Sequence, residues 1–103
     1  MRYYIHQLPI SNNNIFRDYD EVRFEFNDYV PVWTGEVETI EVLDNPEKVL
    51  EEIFEEFNMR HPENYAGHSL STSDVVEFVD LDMRKRVSMY YCDSFGWKKV
   101  EAK

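Results

Sequence analysis

Histidine, serine and aspartate stand together in one short stretch, Gly67-His68-Ser69-Leu70-Ser71-Thr72-Ser73-Asp74. These are the residue types of nucleophilic hydrolysis. A catalytic triad needs a base beside the hydroxyl and a carboxylate behind the base, and its members normally meet from distant segments. Neighbours in an extended loop point in alternating directions instead. The stretch therefore also reads as a loop whose hydroxyls and Asp74 satisfy turn amides while His68 packs locally. Metal binding is a second chemistry to test, through His61, His68, Cys92 and nearby acids. Zinc takes three or four convergent ligands, usually from close pairs, and His61 and His68 stand seven residues apart, which matches no such pair. No metal or other cofactor is expected. Asp93 beside Cys92 raises the thiol pKa rather than activating it, so Cys92 reads as a small buried filler. The three glycines, Gly35, Gly67 and Gly96, form no phosphate-cradling loop.

The carboxylates carry a different chemistry. The 103 residues hold 21 acids and 11 bases, a net charge of −10. Fifteen of the acids, with only Arg23, Lys48 and Arg60 against them, lie between Asp18 and Glu63. Bare nucleic acid and anionic membranes are poor partners for such a chain. A basic surface on another protein is a good one. The densest run is Glu47, Glu51, Glu52, Glu55 and Glu56 on one stretch of helical period. Carboxylates four residues apart on a helix are separated by about 6 Å along its axis. Phosphates along nucleic acid are comparably spaced, so the rows can occupy a groove that normally holds phosphates. Like charges at this spacing cost a few tenths of a kcal/mol per pair in an isolated helix. Simple solvation of the helix explains the same pattern.

These residues need elements to hold them. The size and the 16% aromatic content suit one domain, residues 1–103, with a single core. Residues 2–8 read as a strand, 11–14 as a turn cluster, and 15–22 as one or two helical turns with Ile15, Phe16, Tyr19 and Val22 inward. Residues 23–28 and 29–33 read as extended, with Pro31 marking an edge strand and Gly35 a break. Residues 36–43 read as a further strand. Asn45 as N-cap and Pro46 at the first turn open a helix over about 46–57, with Val49, Leu50, Ile53, Phe54 and Phe57 on one face. Residues 65–73 read as loop, 74–79 as a strand, 80–86 as a charged turn, and 87–93 and 97–100 as a closing hairpin. The class is α+β: a mostly antiparallel sheet, one main amphipathic helix and a C-terminal β-hairpin. No apolar run reaches the length of a membrane span. One cysteine and a polar N-terminus suit the cytoplasm.

Several strings carry a family resemblance. Phe57-Asn58, His61-Pro62, Gly67-His68-Ser69-Leu70-Ser71, Ser73-Asp74-Val75-Val76, Tyr90-Tyr91, Asp93-Ser94 and Gly96-Trp97 together resemble the YodL-like domain. Tyr3 to Leu8 and Tyr29 to Gly35 look similar as well, so the resemblance spans most of the chain. Departures are Thr72 in place of a usual valine, Cys92 in place of an aliphatic residue, and a longer charged loop near residues 80–86. The resemblance implies no reaction and no catalytic residue. It implies a bacterial setting, often on conjugative or phage-like elements. In size and acidity the chain also resembles, by type, the small anti-CRISPR proteins that act on Cas9.

The expectation is a non-enzymatic inhibitor, monomeric or weakly dimeric, that binds a Cas9-type ribonucleoprotein. Glu47, Glu51, Glu52, Glu55 and Glu56 would meet its basic channel, supported by Glu36, Glu38 and Glu41. The loop with His68, Ser69 and Asp74 is the second candidate surface. A regulatory interaction module with merely solubilising acids is the alternative. A small hydrolase using His68 and a neighbouring serine is the third.

Overall fold

The N-terminal strand β1 (Arg2–Gln7) lies near the middle of the structure and organises the rest. In the computed structural model, which describes residues 1–60, 62, 63, 65 and 67–100, it pairs on both sides. One neighbour is the edge strand β2 (Val30–Glu36); the other is β3 (Val75–Asp80). β3 continues into β4 (Lys85–Asp93) and that into β5 (Gly96–Lys99). The sheet has five strands in the order β2-β1-β3-β4-β5, every pair antiparallel. Pro31, which has no amide to donate, sits on the outermost strand opposite His6, next to a bulge in the β1–β2 ladder. The α+β class, the antiparallel sheet and the closing hairpin agree with the sequence.

Residues 36–43 do not form a strand. The last ladder pair of β2 is Glu36 with Arg2, and Val37 N–H bonds to the Met1 carbonyl. Beyond that point the backbone groups bond within their own segment. The chain coils into a short helix, α1 (Thr39–Asp44), which buries Val42. Gly35 does not break β2 either. It lies opposite Tyr3, whose ring occupies the space a Cβ would need, with ring carbons 2.5–2.6 Å from that position.

Asn45 then starts the main helix α2 (Pro46–Met59), its side chain accepting from Lys48 N–H at 3.3 Å. The helix runs two residues past its expected end. Val49, Leu50, Ile53 and Phe57 are buried against Tyr3, Ile5, Val76 and Phe78 of the sheet. Complete burial of a side chain such as Phe57 is worth about 1.5–3 kcal/mol. Tyr65 and Trp33 pack edge-on against the Phe57 ring, with centroids 4.9 and 5.8 Å away.

The opposite face of the sheet is covered by the excursion between β1 and β2 rather than by a helix. It contains one-turn 3-10 helices at Tyr19–Glu21 and Phe26–Asp28 in place of the longer helical turns and extended run expected there. Tyr19, Val22, Phe24, Phe26 and Tyr29 close over Val75, Met89, Tyr91 and Val100. Phe16 is half-exposed rather than inward-facing. Polar contacts fasten the excursion at several points, and a sheet-borne cluster holds the Phe26 ring. Asp18 Oδ1 accepts from the backbone N–H and hydroxyl of Ser94, each at 2.7 Å, and Tyr91 donates its hydroxyl to the Arg17 carbonyl at 2.6 Å. Nearer β1, Glu77 receives His6 Nε2 at 2.9 Å and Arg86 Nε at 2.8 Å. The Arg86 guanidinium and the edge of His6 both lie against the Phe26 ring, 4.8 and 4.9 Å from its centroid.

Candidate functional site

The helical turn after β2 has an electrostatic consequence. It brings Glu41 of α1 beside Glu36 at the end of β2 and beside Glu52 and Glu56 of α2. The four carboxylates rim an open groove of about 490 Å³ whose apolar lining includes Val37, Val49 and Ile53, with Arg60 at its edge. A second hollow continues from it past Met1, lined by Glu36, Glu38 and Glu41. All five acids are exposed. Arg2 approaches Glu36 only to 3.5 Å on the surface, a contact worth little. Burial, and after it the charge of Glu56, hold the Tyr3 phenol above its ordinary pKa.

The remaining helix acids point elsewhere. Glu51 lines a shallow hollow with Phe54, Cys92, Asp93 and Trp97, on the β4–β5 side of α2. Glu47 and Glu55 stand one turn before and after it on the same row. Glu52 and Glu56 form the other row, with Lys48 and Arg60 at its ends. The helix thus separates the carboxylates into two flanks, and only the Glu52/Glu56 flank joins Glu36, Glu38 and Glu41.

The 67–74 loop is built into the core. Asp74 is completely buried, so this carboxylate is an internal anchor and presents nothing to a partner. Its Oδ2 accepts from Ser71 N–H at 2.9 Å and from the Gln7 amide at 3.1 Å. Gln7 Nε2 also reaches the Tyr65 hydroxyl at 3.0 Å and the His68 carbonyl at 2.9 Å, and Gln7 Oε1 accepts His68 N–H at 3.2 Å. Tyr65 donates its hydroxyl to the His68 carbonyl at 2.6 Å. His68 Nδ1 lies 2.7 Å from the Ser69 carbonyl, and its Nε2 faces Asp74 Oδ1 at 4.0 Å. His68 Nδ1 also lies 3.3 Å from Gln7 Nε2, so among the described residues neither ring nitrogen meets a serine hydroxyl. Ser69 is exposed and is the loop's outward polar residue.

Burial lifts the Asp74 carboxyl to about 7, against the opposing pull of the Ser71 amide, His68 and Gln7. Burial, then Asp74 and Asp93, push the Cys92 thiol up to about 12, and this cysteine is buried as expected. His61 lies outside the described residues. Among the described residues no three His, Cys, Asp or Glu side chains are grouped to hold a metal.

A family model of the YodL-like domain matches residues 2–102. The chain belongs to the YodL-like domain family. No curated protein and no solved structure matches it. Among the described residues of this YodL-like domain, no helix is long and apolar enough to cross a membrane.

The string that carried the resemblance is the one that forms the buried network. Gly67 permits it, because a Cβ there would stand 2.5 Å from Gln7 Oε1 and 2.7 Å from the Tyr65 hydroxyl. Ser73 takes a left-handed φ of 88°; its hydroxyl accepts Phe16 N–H at 3.1 Å and its carbonyl accepts the Tyr29 hydroxyl at 2.6 Å. Sequence reasoning missed Gln7, the hub of this YodL-like domain's loop. A buried glutamine needs partners for its whole amide, and its position at the end of an apolar strand was the one signal available. It also missed His6, Glu77 and Arg86, which stand far apart in the chain and carry no motif.

Proposed function

We propose that this YodL-like domain is a non-catalytic inhibitor that binds a basic, nucleic-acid-handling surface of another protein through its acidic groove. The observation that carries the reading is the convergence of Glu36, Glu41, Glu52 and Glu56 from three elements around one groove, with Arg60 the single base in its lining among the described residues. Helices and a strand end fix the backbone positions from which the carboxylates project, so no backbone has to be ordered on binding. The partner class that fits is a Cas9-type ribonucleoprotein, whose PAM and heteroduplex channels are lined with lysine and arginine. We further infer action in the cytoplasm, without cofactor. The half-exposed His68 and the exposed Ser69 are a second contact surface at most, since Asp74 is enclosed.

The test is target-DNA cleavage by a guide-loaded Cas9 effector, with the protein added before or after the DNA. Inhibition confined to addition before DNA is the expected result, and it should weaken steeply as salt rises, because exposed charges are screened over about 8–10 Å. Glu52→Lys with Glu56→Lys should abolish inhibition, and Glu51→Lys with Glu55→Lys should reduce it less. Equal loss from both pairs would point to net charge alone. Inhibition indifferent to salt and to either pair would favour an apolar contact, for which exposed Ile40 and Leu43 on α1 are the nearest candidates.

A further inference from the structure

The imidazole of His68 sits between two oxygens and has too few protons for both. At Nδ1 the Ser69 carbonyl lies 2.7 Å away and Gln7 Nε2 3.3 Å away; the two Gln7 amide hydrogens have nearer acceptors in the His68 carbonyl, the Tyr65 hydroxyl and Asp74, and the Ser69 carbonyl can only accept, so Nδ1 carries hydrogen. A neutral imidazole then has a bare lone pair on Nε2. That atom faces Asp74 Oδ1 at 4.0 Å, and both atoms are buried without any hydrogen-bond partner. With neutral histidine and ionised aspartate, two acceptors confront each other away from water. The alternative tautomer moves the conflict to Ser69. One additional proton, on Nε2 or on Oδ1, converts the contact into a hydrogen bond in either case.

Among the described residues, the surroundings provide no other source of that proton. Gln7 from β1 and Ser71 from the loop face Asp74 and do not titrate. The phenols of Tyr65 and Tyr29 and the thiol of Cys92 all feel Asp74 and are pushed upward, burial first, so each stays neutral around pH 7. Burial likewise favours the protonated carboxyl of Asp74. Among the described residues, His68 is the one basic side chain facing it.

What rests on the pair is the start of the excursion. The Phe16 ring packs edge-on over His68, centroids 6.0 Å apart, while its backbone holds a left-handed φ of 66°. A bulky residue in that region is strained and stays there only while its neighbours hold it. Phe16 N–H is tied to Ser73 Oγ, one residue before Asp74.

We propose that His68 and Asp74 form a proton-dependent latch: the protonated pair holds the 67–74 loop closed beneath Phe16, and loss of the shared proton turns the imidazole outward and frees Phe16. The device is independent of the acidic groove and of what that groove binds. Depending on pH, the protein presents either a closed loop with Phe16 seated or an open one with His68 and Phe16 displaced.

The latch is read by NMR titration of the intact protein from pH 5 to 9. The His68 ring nitrogens, the Asp74 carboxyl carbon and the Phe16 amide should shift with one common midpoint. Exchange protection of the Phe16 amide, corrected for intrinsic base catalysis, should fall at least tenfold across it. Asp74→Asn keeps the Ser71 contact through its oxygen and turns an NH2 group toward Nε2, so it should stay closed throughout. His68→Gln, at a half-exposed position, removes the titrating ring even if the Asn variant does not fold, and should abolish the transition. Unchanged Phe16 protection across the range, or the same fall in His68→Gln, would overturn the proposal.

Discussion

The Glu77 clamp offers the sharpest energetic test of how the excursion is held. Its carboxylate is largely enclosed, 13% exposed, and receives two charge-assisted contacts, 2.9 Å to His6 Nε2 and 2.8 Å to Arg86 Nε. A hydrogen bond to a charged group contributes about 1.5–3 kcal/mol. The Arg86 contact counts at the low end, because that side chain is 35% exposed and solvent screens it. Glu77→Gln keeps one acceptor oxygen and turns an NH2 group toward the other donor. The expected cost is about 2–4 kcal/mol, or roughly 10–25 °C in Tm for a chain of this size. Burial alone would raise the Glu77 pKa, yet the bonds and charges of His6 and Arg86 outweigh it and hold the pKa below the ordinary glutamate value. A depressed carboxylate pKa stabilises the fold above the ordinary value, and that contribution is lost as pH falls through the lowered one. Asp74 works in the opposite sense: its raised pKa favours the fold at low pH, and that contribution is lost as pH rises toward about 7. The difference between the native protein and Glu77→Gln cancels the Asp74 part. Urea unfolding of both at pH 7 and pH 3 should show a gap that closes in acid. A gap under about 0.5 kcal/mol at pH 7, or one of equal size at pH 3, would refute the reasoning. A cycle with Arg86→Met should return a coupling of about 1 kcal/mol or more if the two side chains act as a unit.

Two further predictions follow from packing. Gly35→Ala places a methyl 2.5 Å from the buried Tyr3 ring, which has α2 behind it, and should cost about 1–3 kcal/mol in denaturant unfolding. An unchanged midpoint would mean the ring moves freely. Cys92, buried and with its thiol pushed up to about 12, should react with an aromatic disulfide reagent at pH 8 at least a hundredfold more slowly in native protein than in urea. Equal rates would show that the β4–β5 end opens readily.

The elements that could be read from sequence were those whose own residues decide their form. α2 has its cap, its proline and a full apolar face, so its start and buried stripe were legible from Asn45, Pro46 and Val49 to Phe57. The sheet strands rich in valine and tyrosine were legible for the same reason. The segment after Glu36 was not, because its form depends on tertiary contacts. Thr39, Ile40 and Val42 suit a strand by propensity, yet they coil into α1 and bury Val42 beneath α2. The excursion from Pro9 to Tyr29 is equally contextual: its aromatic residues are placed by Val75 and Tyr91, 46 to 72 positions away. For the candidate site the same division holds. The acids were visible as a charge run, whereas their partition into two flanks needed the helix to be seated. In the loop, Gly67, His68 and Asp74 were visible as a string, but Gln7, which joins them, lies at the far end of the chain.

The helix after β2 matters more to the proposed function than any single carboxylate. Extended backbone from 36 to 43 would have spaced Glu36, Glu38 and Glu41 along a strand that alternates its faces, at about 3.3 Å per residue. Two of the three would then share a face, and none would be held against α2. Coiling at Thr39 instead turns Glu41 back toward Glu52 and Glu56, and the groove exists because α1 and α2 meet at Asn45. The arrangement concentrates like charge, which the fold tolerates at a cost that a merely solubilising surface could avoid by keeping Glu36 and Glu41 away from the Glu52/Glu56 flank. A partner that supplies lysine and arginine would remove this repulsion on binding. Salt should therefore act in two directions: added salt stabilises the free protein, by screening the groove, and weakens the complex. A free protein whose unfolding midpoint is flat from low to moderate salt would show that the groove carries no appreciable repulsion, and the argument from concentrated charge would fail with it.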